Sequence, residues 1–281
     1  MNINGKLIKC IAFDLDHTVI NSDGSMSDVT KVALKQAIAD GIVVLPVSGR
    51  AFATFPEAIC EMDGIDYVVT SNGAAVYDMK NKVRIHGETI DVKDVHAIFE
   101  CLDEFFSNGQ ITYEAFVDGV AYGDKCYVDD PMAFGVPQSS ANYIQTTRRP
   151  EASIMEFMMQ HEAELDSLDV VLKDGALYDF IEKQISDVTE NIYITSAVSY
   201  RLEVSHKNSG KSIGLRYVLD KLGITPEETI AFGDGDNDAE MLAMAGIGVA
   251  MENATENCKS SADTICGRCE NDGVARFLYG F

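Results

Sequence analysis

Asp14-Leu15-Asp16-His17-Thr18 sets two carboxylates two residues apart, directly after a short apolar run, residues 7–13. A single D-x-D is common, and by itself reads equally well as solvated loop acids. Gly233-Asp234-Gly235-Asp236-Asn237-Asp238 supplies further acids after a second apolar run, with Gly233 and Gly235 permitting a tight turn. Its flanks read strand then helix, and the glutamate that closes an EF-hand loop is missing, so a calcium loop is the poorer reading. Oxygen donors of this kind suit Mg²⁺, a hard cation that one or two carboxylates and a substrate phosphate can hold. Ser48-Gly49 offers a hydroxyl and an unhindered backbone N–H to a phosphoryl oxygen. Lys211 falls in the first turn of a predicted helix, where the free N–H groups and the helix dipole already favour an anion. Taken alone it would read as a surface lysine.

The elements that must position these groups follow from hydrophobic pattern. Residues 7–13 and 42–48 read as strands buried on both faces, and a third strand is predicted at 67–70. A helix opening at Ser27-Asp28 and closing at Gly41, and a second over roughly 50–62, complete a β-α-β-α-β pattern. Ligands of parallel sheets gather at the carboxyl ends of strands. Asp14/Asp16/Thr18, Ser48/Gly49/Arg50 and Ser71/Asn72/Gly73 all fall there.

Between about 86 and 204 the pattern changes to a helix over 91–106, an antiparallel pair ITYEAFVD and GVAYGD, helices near 151–160 and 176–189, and strands at 170–173, 192–197 and 201–205. Alternation then resumes with a helix at 209–224, the strand before Asp234, a short strand at 248–250 and a closing helix. The expected architecture is α/β: a doubly wound, mostly parallel Rossmann-like core from 1–85 and 205–281, with an α+β cap, 86–204, inserted and the active site at their junction.

The formal net charge of -23 argues against a nucleic-acid partner, whose phosphates demand Lys and Arg. It would also repel an anionic small substrate, so a phosphate site needs a metal ion and a few placed cations. No apolar run approaches the roughly 18 residues of a membrane span, and the first residues lack a signal-peptide core. Seven cysteines without framework spacing fit reduced thiols. A cytoplasmic protein is expected, monomeric or a small homo-oligomer, acting on a small phosphorylated molecule.

The four pieces in this order, Asp14-x-Asp16-x-Thr18, Ser48-Gly49-Arg50, Lys211 and Gly233 to Asp238, resemble the haloacid dehalogenase (HAD)-like hydrolase superfamily. The Ser71-Asn72-Gly73-Ala74 turn, the insertion, and the tail VAMENATENCKSSAD with NDGVARFL look like its Cof-like sugar-phosphate phosphatase branch. The resemblance implies Asp14 as nucleophile and Mg²⁺ ligand. It implies Asp16 as general acid and base, its backbone carbonyl also on the metal, and Asp234 as the third protein ligand. The N–H of Leu15, with Ser48, Gly49, Lys211 and Asn237, would hold the phosphoryl group. Asp238 would orient Lys211 or a metal-bound water, with Thr18, Arg50 and Asn72 in support.

His17 stands where the branch usually has Gly, and Ser48 where Thr is commonest; neither change removes a needed group. The favoured function is hydrolysis of small phosphomonoesters, sugar phosphates first and nucleotide or cofactor phosphates next. A sugar phosphomutase and a non-catalytic phosphate sensor are the alternatives. Cys266-Gly-Arg-Cys269 reads as a surface turn rather than a redox or zinc pair, and Asn253 is a minor site candidate. Asp118, Tyr122, Tyr127, Arg148 and Arg149 are candidate substrate readers, and Met155, Phe157, Met158 and Met159 read as core.

Overall fold

The computed structural model describes residues 1–3, 5–196 and 198–280. The run ending at Asp14 forms β1, Cys10–Phe13, buried along its whole length because strands lie on both sides of it. Ser27 accepts a hydrogen bond from the Thr30 N–H and so caps α1, Asp28–Ala39, which leads into β2, Val43–Pro46. The sheet is completed by β12 (Thr229–Gly233), β13 (Ile247–Met251) and β14 (Thr264–Cys266), in the order β14-β13-β12-β1-β2, every pairing parallel. This is the α/β core expected, with one strand, β14, that the sequence pattern did not announce.

The chain divides into two units, one of Met1–Arg50, Phe55–His86 and Gly210–Phe281, the other of Ala51–Thr54 and Gly87–Ser209. Three expectations need correction. The helix predicted over 50–62 is replaced by a 3-10 turn, Phe52–Thr54, and a single helical turn, Glu57–Cys60. Pro56 is the reason, since it disfavours helical backbone at the residue before it and withdraws an N–H. The strand at Tyr67–Thr70, β3, touches the parallel sheet through one bridge, Val47 to Val69, and otherwise pairs antiparallel with β4, Ala75–Asp78. Together with β5, Val83–Gly87, it makes a separate three-stranded sheet. Cys266 and Cys269 are buried, and burial pushes each thiol up to about 12, so the C-x-x-C is no surface turn.

The second unit is built on a six-stranded sheet containing β6 (Ile111–Val117), β7 (Val120–Asp124), β8 (Arg149–Glu151), β9 (Leu165–Leu172), β10 (Ile192–Thr195) and β11 (Arg201–His206). β9 starts five residues before the predicted strand, and Ala197, the expected end of β10, lies outside the described residues. Period-two alternation gives the sheet two unlike faces. Tyr113, Ala115, Leu168, Val170, Leu202 and Val204 pack with Ile98, Leu102, Ile181 and Ile185 from α2 (Val92–Ser107) and α6 (Tyr178–Val188).

The opposite face carries charge. Glu114 is fully buried and takes a hydrogen bond from Arg148 Nη2 at 2.7 Å and another from the Tyr127 hydroxyl at 2.6 Å. Arg201 lies 3.6 Å from Glu114, 3.3 Å from Asp169 and 2.6 Å from Glu203. Tyr127 belongs to α3, Lys125–Asp129, and Arg148 follows α4, Gln138–Thr147; neither helix was expected. Their side chains are thus committed to the network. Asp118 occupies a left-handed hairpin turn with Gly119, and Tyr122 stacks on Phe157 at 4.3 Å and carries the Arg149 guanidinium 5.9 Å from its ring centroid. Met158 is core, and Met155 packs on it from a partly buried position. Met159 is 41% exposed, against the core expectation.

Removing one partner of a buried ion pair leaves the other charged and dry. Arg148→Met should therefore lower the unfolding free energy measured in urea by about 3–5 kcal/mol, and adding Glu114→Leu should restore part of it; an unchanged midpoint would contradict the account. Burial alone would raise the Glu114 carboxyl, but the charges of Arg148 and Arg201 outweigh it and hold it below its usual range. Its stabilising contribution is therefore complete above the unfolded value of about 4.3 and disappears as pH falls through the lower folded value.

Candidate active site

Each strand of the core ends where a polar side chain is wanted. Asp14 follows β1 and its N–H donates to Phe232 O at 2.9 Å, so the first two acidic loops are tied together at their roots. Gly210 precedes α7, Lys211–Leu222, whose first residue is buried to 2%. Lys211 Nζ lies 2.6 Å from Asp14 Oδ1 and 2.6 Å from Asp238 Oδ1. The other oxygen of Asp238 accepts from the N–H groups of Asp234 and Gly235, both at 2.9 Å. Three of the roughly four acceptor positions of Asp238 are therefore taken, one by Lys211 and two by N–H groups of its own loop.

Asp14, Asp234 and Asp238 bring one carboxylate oxygen each within 4.8 Å of one another. Burial, followed by the charge of Asp238, raises the Asp234 carboxyl to about 7. Asp14 is also raised, by burial first, with Asp238, Asp234 and Asp16 adding to it against the opposing pull of Lys211. Carboxylates gathered in this way fit a divalent cation with oxygen ligands, and Asp14 and Asp234 are the better candidates to serve it, since Asp238 already accepts from Lys211 and two backbone N–H groups. Thr18 Oγ1 donates to Asp234 Oδ1 at 3.4 Å. Burial would lower Lys211, but its two carboxylates win and hold it above its usual value, hence charged.

Asp16 is held differently. Arg50 Nε donates to its Oδ2 at 2.8 Å and Nη2 to its Oδ1 at 2.6 Å. Burial opposes ionisation here too, but the two-pronged Arg50 contact outweighs it and keeps the carboxyl below the ordinary range. Ser48 is buried, and its hydroxyl accepts from the Arg50 N–H at 3.2 Å. Leu15 is fully buried, and its carbonyl accepts from the N–H groups of Thr18, Val19 and Ile20, which closes the loop after β1. Asn237 Nδ2 donates to Asn72 Oδ1 at 3.0 Å, and Gly49 abuts the Asn72 amide.

All twelve residues singled out in the sequence lie in the first unit, and contacts link them in groups: Lys211 with Asp14 and Asp238, Asp16 with Arg50, Thr18 with Asp234, Asn237 with Asn72. Asp236 is exposed and takes a hydrogen bond from the Thr255 hydroxyl instead. Asn253 emerges more prominently than its sequence suggests: its Nδ2 lies 3.3 Å from Asp234 Oδ2 and 3.3 Å from the His17 carbonyl. Its place just beyond β13 was the available signal.

A family model described as haloacid dehalogenase-like hydrolase matches residues 11–278. The chain belongs to the haloacid dehalogenase-like hydrolases. Phosphatase YwpJ of Bacillus subtilis is 31% identical, with 96% of this chain and 99% of that protein covered. The 5-amino-6-(5-phospho-D-ribitylamino)uracil phosphatase YitU of the same organism is 28% identical over 95% of each chain. Among solved structures, a haloacid dehalogenase-like hydrolase from B. subtilis is 29% identical, with a TM-score of 0.81 over 96% of this chain and 99% of that one. A sugar phosphatase of HAD subclass IIB has the same fold, with a TM-score of 0.81 at 23% identity over 97% and 98% of the two chains. This hydrolase is thus an enzyme related to phosphatases throughout its length.

Because the Asp234 carboxyl is raised in the metal-free protein, its stabilising contribution is present below the unfolded value of about 3.9 and is lost as pH rises through about 7. A divalent cation reverses this crowding. Thermal unfolding at pH 8 should shift upward with MgCl₂ and the shift should shrink as the buffer is taken below pH 7, where protons compete for the same oxygens. Asp234→Asn should raise the metal-free midpoint at pH 8 and abolish the response to the cation; an undiminished response would remove Asp234 from the metal site.

Proposed function

We propose that the protein is a Mg²⁺-dependent phosphatase of small phosphomonoesters, acting through an aspartyl-phosphate on Asp14. The observation that carries this reading is the buried ammonium of Lys211 between Asp14 and Asp238. A carboxylate that attacks a dianionic phosphate suffers like-charge repulsion, and a fixed cation beside the attacking oxygen offsets it without reorganising during the reaction.

In the first step an Asp14 oxygen bonds to phosphorus and the ester P–O bond breaks, while Asp16 gives its proton to the leaving alkoxide. In the second step water attacks the aspartyl-phosphate, Asp16 takes its proton, and inorganic phosphate and the free Asp14 carboxylate are released. The Arg50 pair keeps Asp16 ionised in the resting protein, so it must first take up a proton from solvent, which it does when the charge of the substrate competes for Arg50. The N–H of Leu15, with Ser48, Gly49, Lys211 and Asn237, holds the phosphoryl oxygens. Asp238 fixes Lys211, and Thr18 steadies Asp234. Asp14, the backbone carbonyl of Asp16 and Asp234 are the protein ligands for Mg²⁺, which when bound neutralises phosphoryl charge. The cation suits this oxygen set, in which burial first and neighbouring carboxylates second raise Asp14 and Asp234.

Sugar phosphates are the first substrate class and nucleotide or cofactor phosphates the second. The names of the relatives support this order, since one acts on a phosphorylated ribityl compound. The acidic chain, with a net charge of -23, favours a small substrate reached through local cations over a polyanion.

Phosphate release should be assayed from sugar and polyol phosphates, nucleotides and an aryl phosphate, with MgCl₂ or EDTA. Release should require the cation and fall roughly 10⁴-fold or more in Asp14→Asn. Asp16→Asn should slow alkyl esters by roughly 10²–10⁴-fold and aryl phosphate far less, because only the poor leaving group needs the proton. Metal-independent release, or full activity in Asp14→Asn, would refute the mechanism. Turnover that needs a sugar bisphosphate and yields no inorganic phosphate would point to a mutase.

A further inference from the structure

Ser71, Asn72 and Gly73 are three consecutive residues with φ of 47°, 51° and 88°. Left-handed backbone is unfavourable for side-chain-bearing residues, and a run of it persists only where the surroundings dictate it. Here they do so from three directions. The Ser71 N–H donates to the Arg50 carbonyl and the Asn72 N–H to the Ser48 carbonyl, each at 3.0 Å. Gly73 lies so close to the next segment that a Cβ there would come within 2.0 Å of the Gly210 carbonyl oxygen. The turn is thereby pinned both to the Ser48-Gly49-Arg50 loop and to the entry of α7.

Such a turn buries two polar side chains, those of Ser71 and Asn72, each 4% exposed. Asparagine tolerates this backbone better than most residues, yet glycine would adopt it at no cost. What asparagine adds is its amide. Asn72 Oδ1 accepts from Asn237 Nδ2 at 3.0 Å. The Asn237 Oδ1 is turned the other way, 2.5 Å from where a Cβ on Gly235 would sit. A carboxamide can flip by 180°, and in the flipped state Asn237 would show an acceptor where it now shows a donor. The bond couples the two amides: while Asn72 presents its Oδ1, Asn237 must present an N–H to it, and its side chain is held in that rotation. The second N–H of Asn237 is thereby left for another acceptor.

We infer that Asn72 is a positioning residue that locks the Asn237 carboxamide with its NH₂ group toward the phosphoryl oxygens. This rests on the reading of Asn237 as a phosphate ligand. A flipped Asn237 would set an acceptor oxygen against an anionic one, so the lock matters for affinity and not only for rigidity. Gly49 fits the same picture: a Cβ there would lie 3.1 Å from Asn72 Oδ1 and 3.3 Å from its Nδ2, so only glycine leaves the amide undisturbed.

Asn72→Gly separates the side chain from the backbone, because glycine accepts the left-handed turn. Inhibition by inorganic phosphate should be measured for the full-length, Mg²⁺-supplied protein as wild type, Asn72→Gly, Asn237→Ala and the double variant, alongside thermal unfolding. Each single substitution should weaken phosphate about tenfold, as expected for a lost hydrogen bond to a charged group. The double variant should be no weaker than Asn237→Ala, and Asn72→Gly should unfold at or above the wild-type temperature. Wild-type phosphate affinity in Asn72→Gly, with Asn237→Ala impaired, would overturn the inference and leave the phosphate cradle intact. Losses that multiply in the double variant would also overturn it, because Asn72 would then act independently of Asn237. Unchanged affinity in Asn237→Ala would instead strike down the cradle assignment, and the inference with it.

Discussion

Lys211 carries a positive charge at a position 2% exposed, and a lone ammonium there would cost several kcal/mol in lost hydration. It is tolerable only because Asp14 and Asp238 each approach to 2.6 Å, and both carboxylates in turn depend on it. The three residues come from the end of β1, the start of α7 and the loop after β12, so the interaction can exist only if the parallel sheet brings those ends together. The Asp238 backbone contacts extend the constraint: one oxygen serves Lys211 while the other fixes the N–H groups of Asp234 and Gly235. The acidic loop is thus shaped by the same charge that pairs with Asp14.

The electrostatic balance around this triad separates the two acids of the Asp14-x-Asp16 pair. Asp14 lies among like charges and in a dry setting, which raises it; Asp16 lies against the Arg50 fork, which lowers it. Two carboxyl groups that begin with the same intrinsic affinity for a proton are driven in opposite directions by their surroundings. The same logic governs the second unit, where the buried Glu114 stays ionised beside Arg148 while Asp169 is raised by burial despite the nearby Arg201. There the charges hold α3 and the segment after α4 onto one face of the sheet, while an apolar cluster on the other packs α2 and α6.

Much of the first unit is legible in its sequence. A strand buried on both faces must be a nearly unbroken apolar run, so residues 7–13, 42–48 and 229–233 announce a parallel sheet, and polar clusters directly after such runs fall at its ligand-binding edge. The residue types of the site are therefore readable one cluster at a time. Elements of weak local preference are less visible: α4, QSSANYIQTT, is poor in strong helix formers, and β14 is three residues long. The helix predicted over 50–62 fails at Pro56, which disfavours helical backbone at Phe55 and has no N–H to donate.

Sequence alone determined the class of the core, the strand-end location of the acidic, serine-glycine and lysine clusters, and the hard-oxygen character of the donors, because each follows from local spacing and covalent chemistry. Only the tertiary structure decided who touches whom. That Lys211 meets Asp238, that Arg50 grips Asp16, that Asn72 meets Asn237, and that Tyr127 and Arg148 are consumed by Glu114 are contacts between residues 13 to 165 positions apart. Such pairings depend on strand order, register and a strained turn, which are properties of the packed whole and leave no periodic trace in the chain.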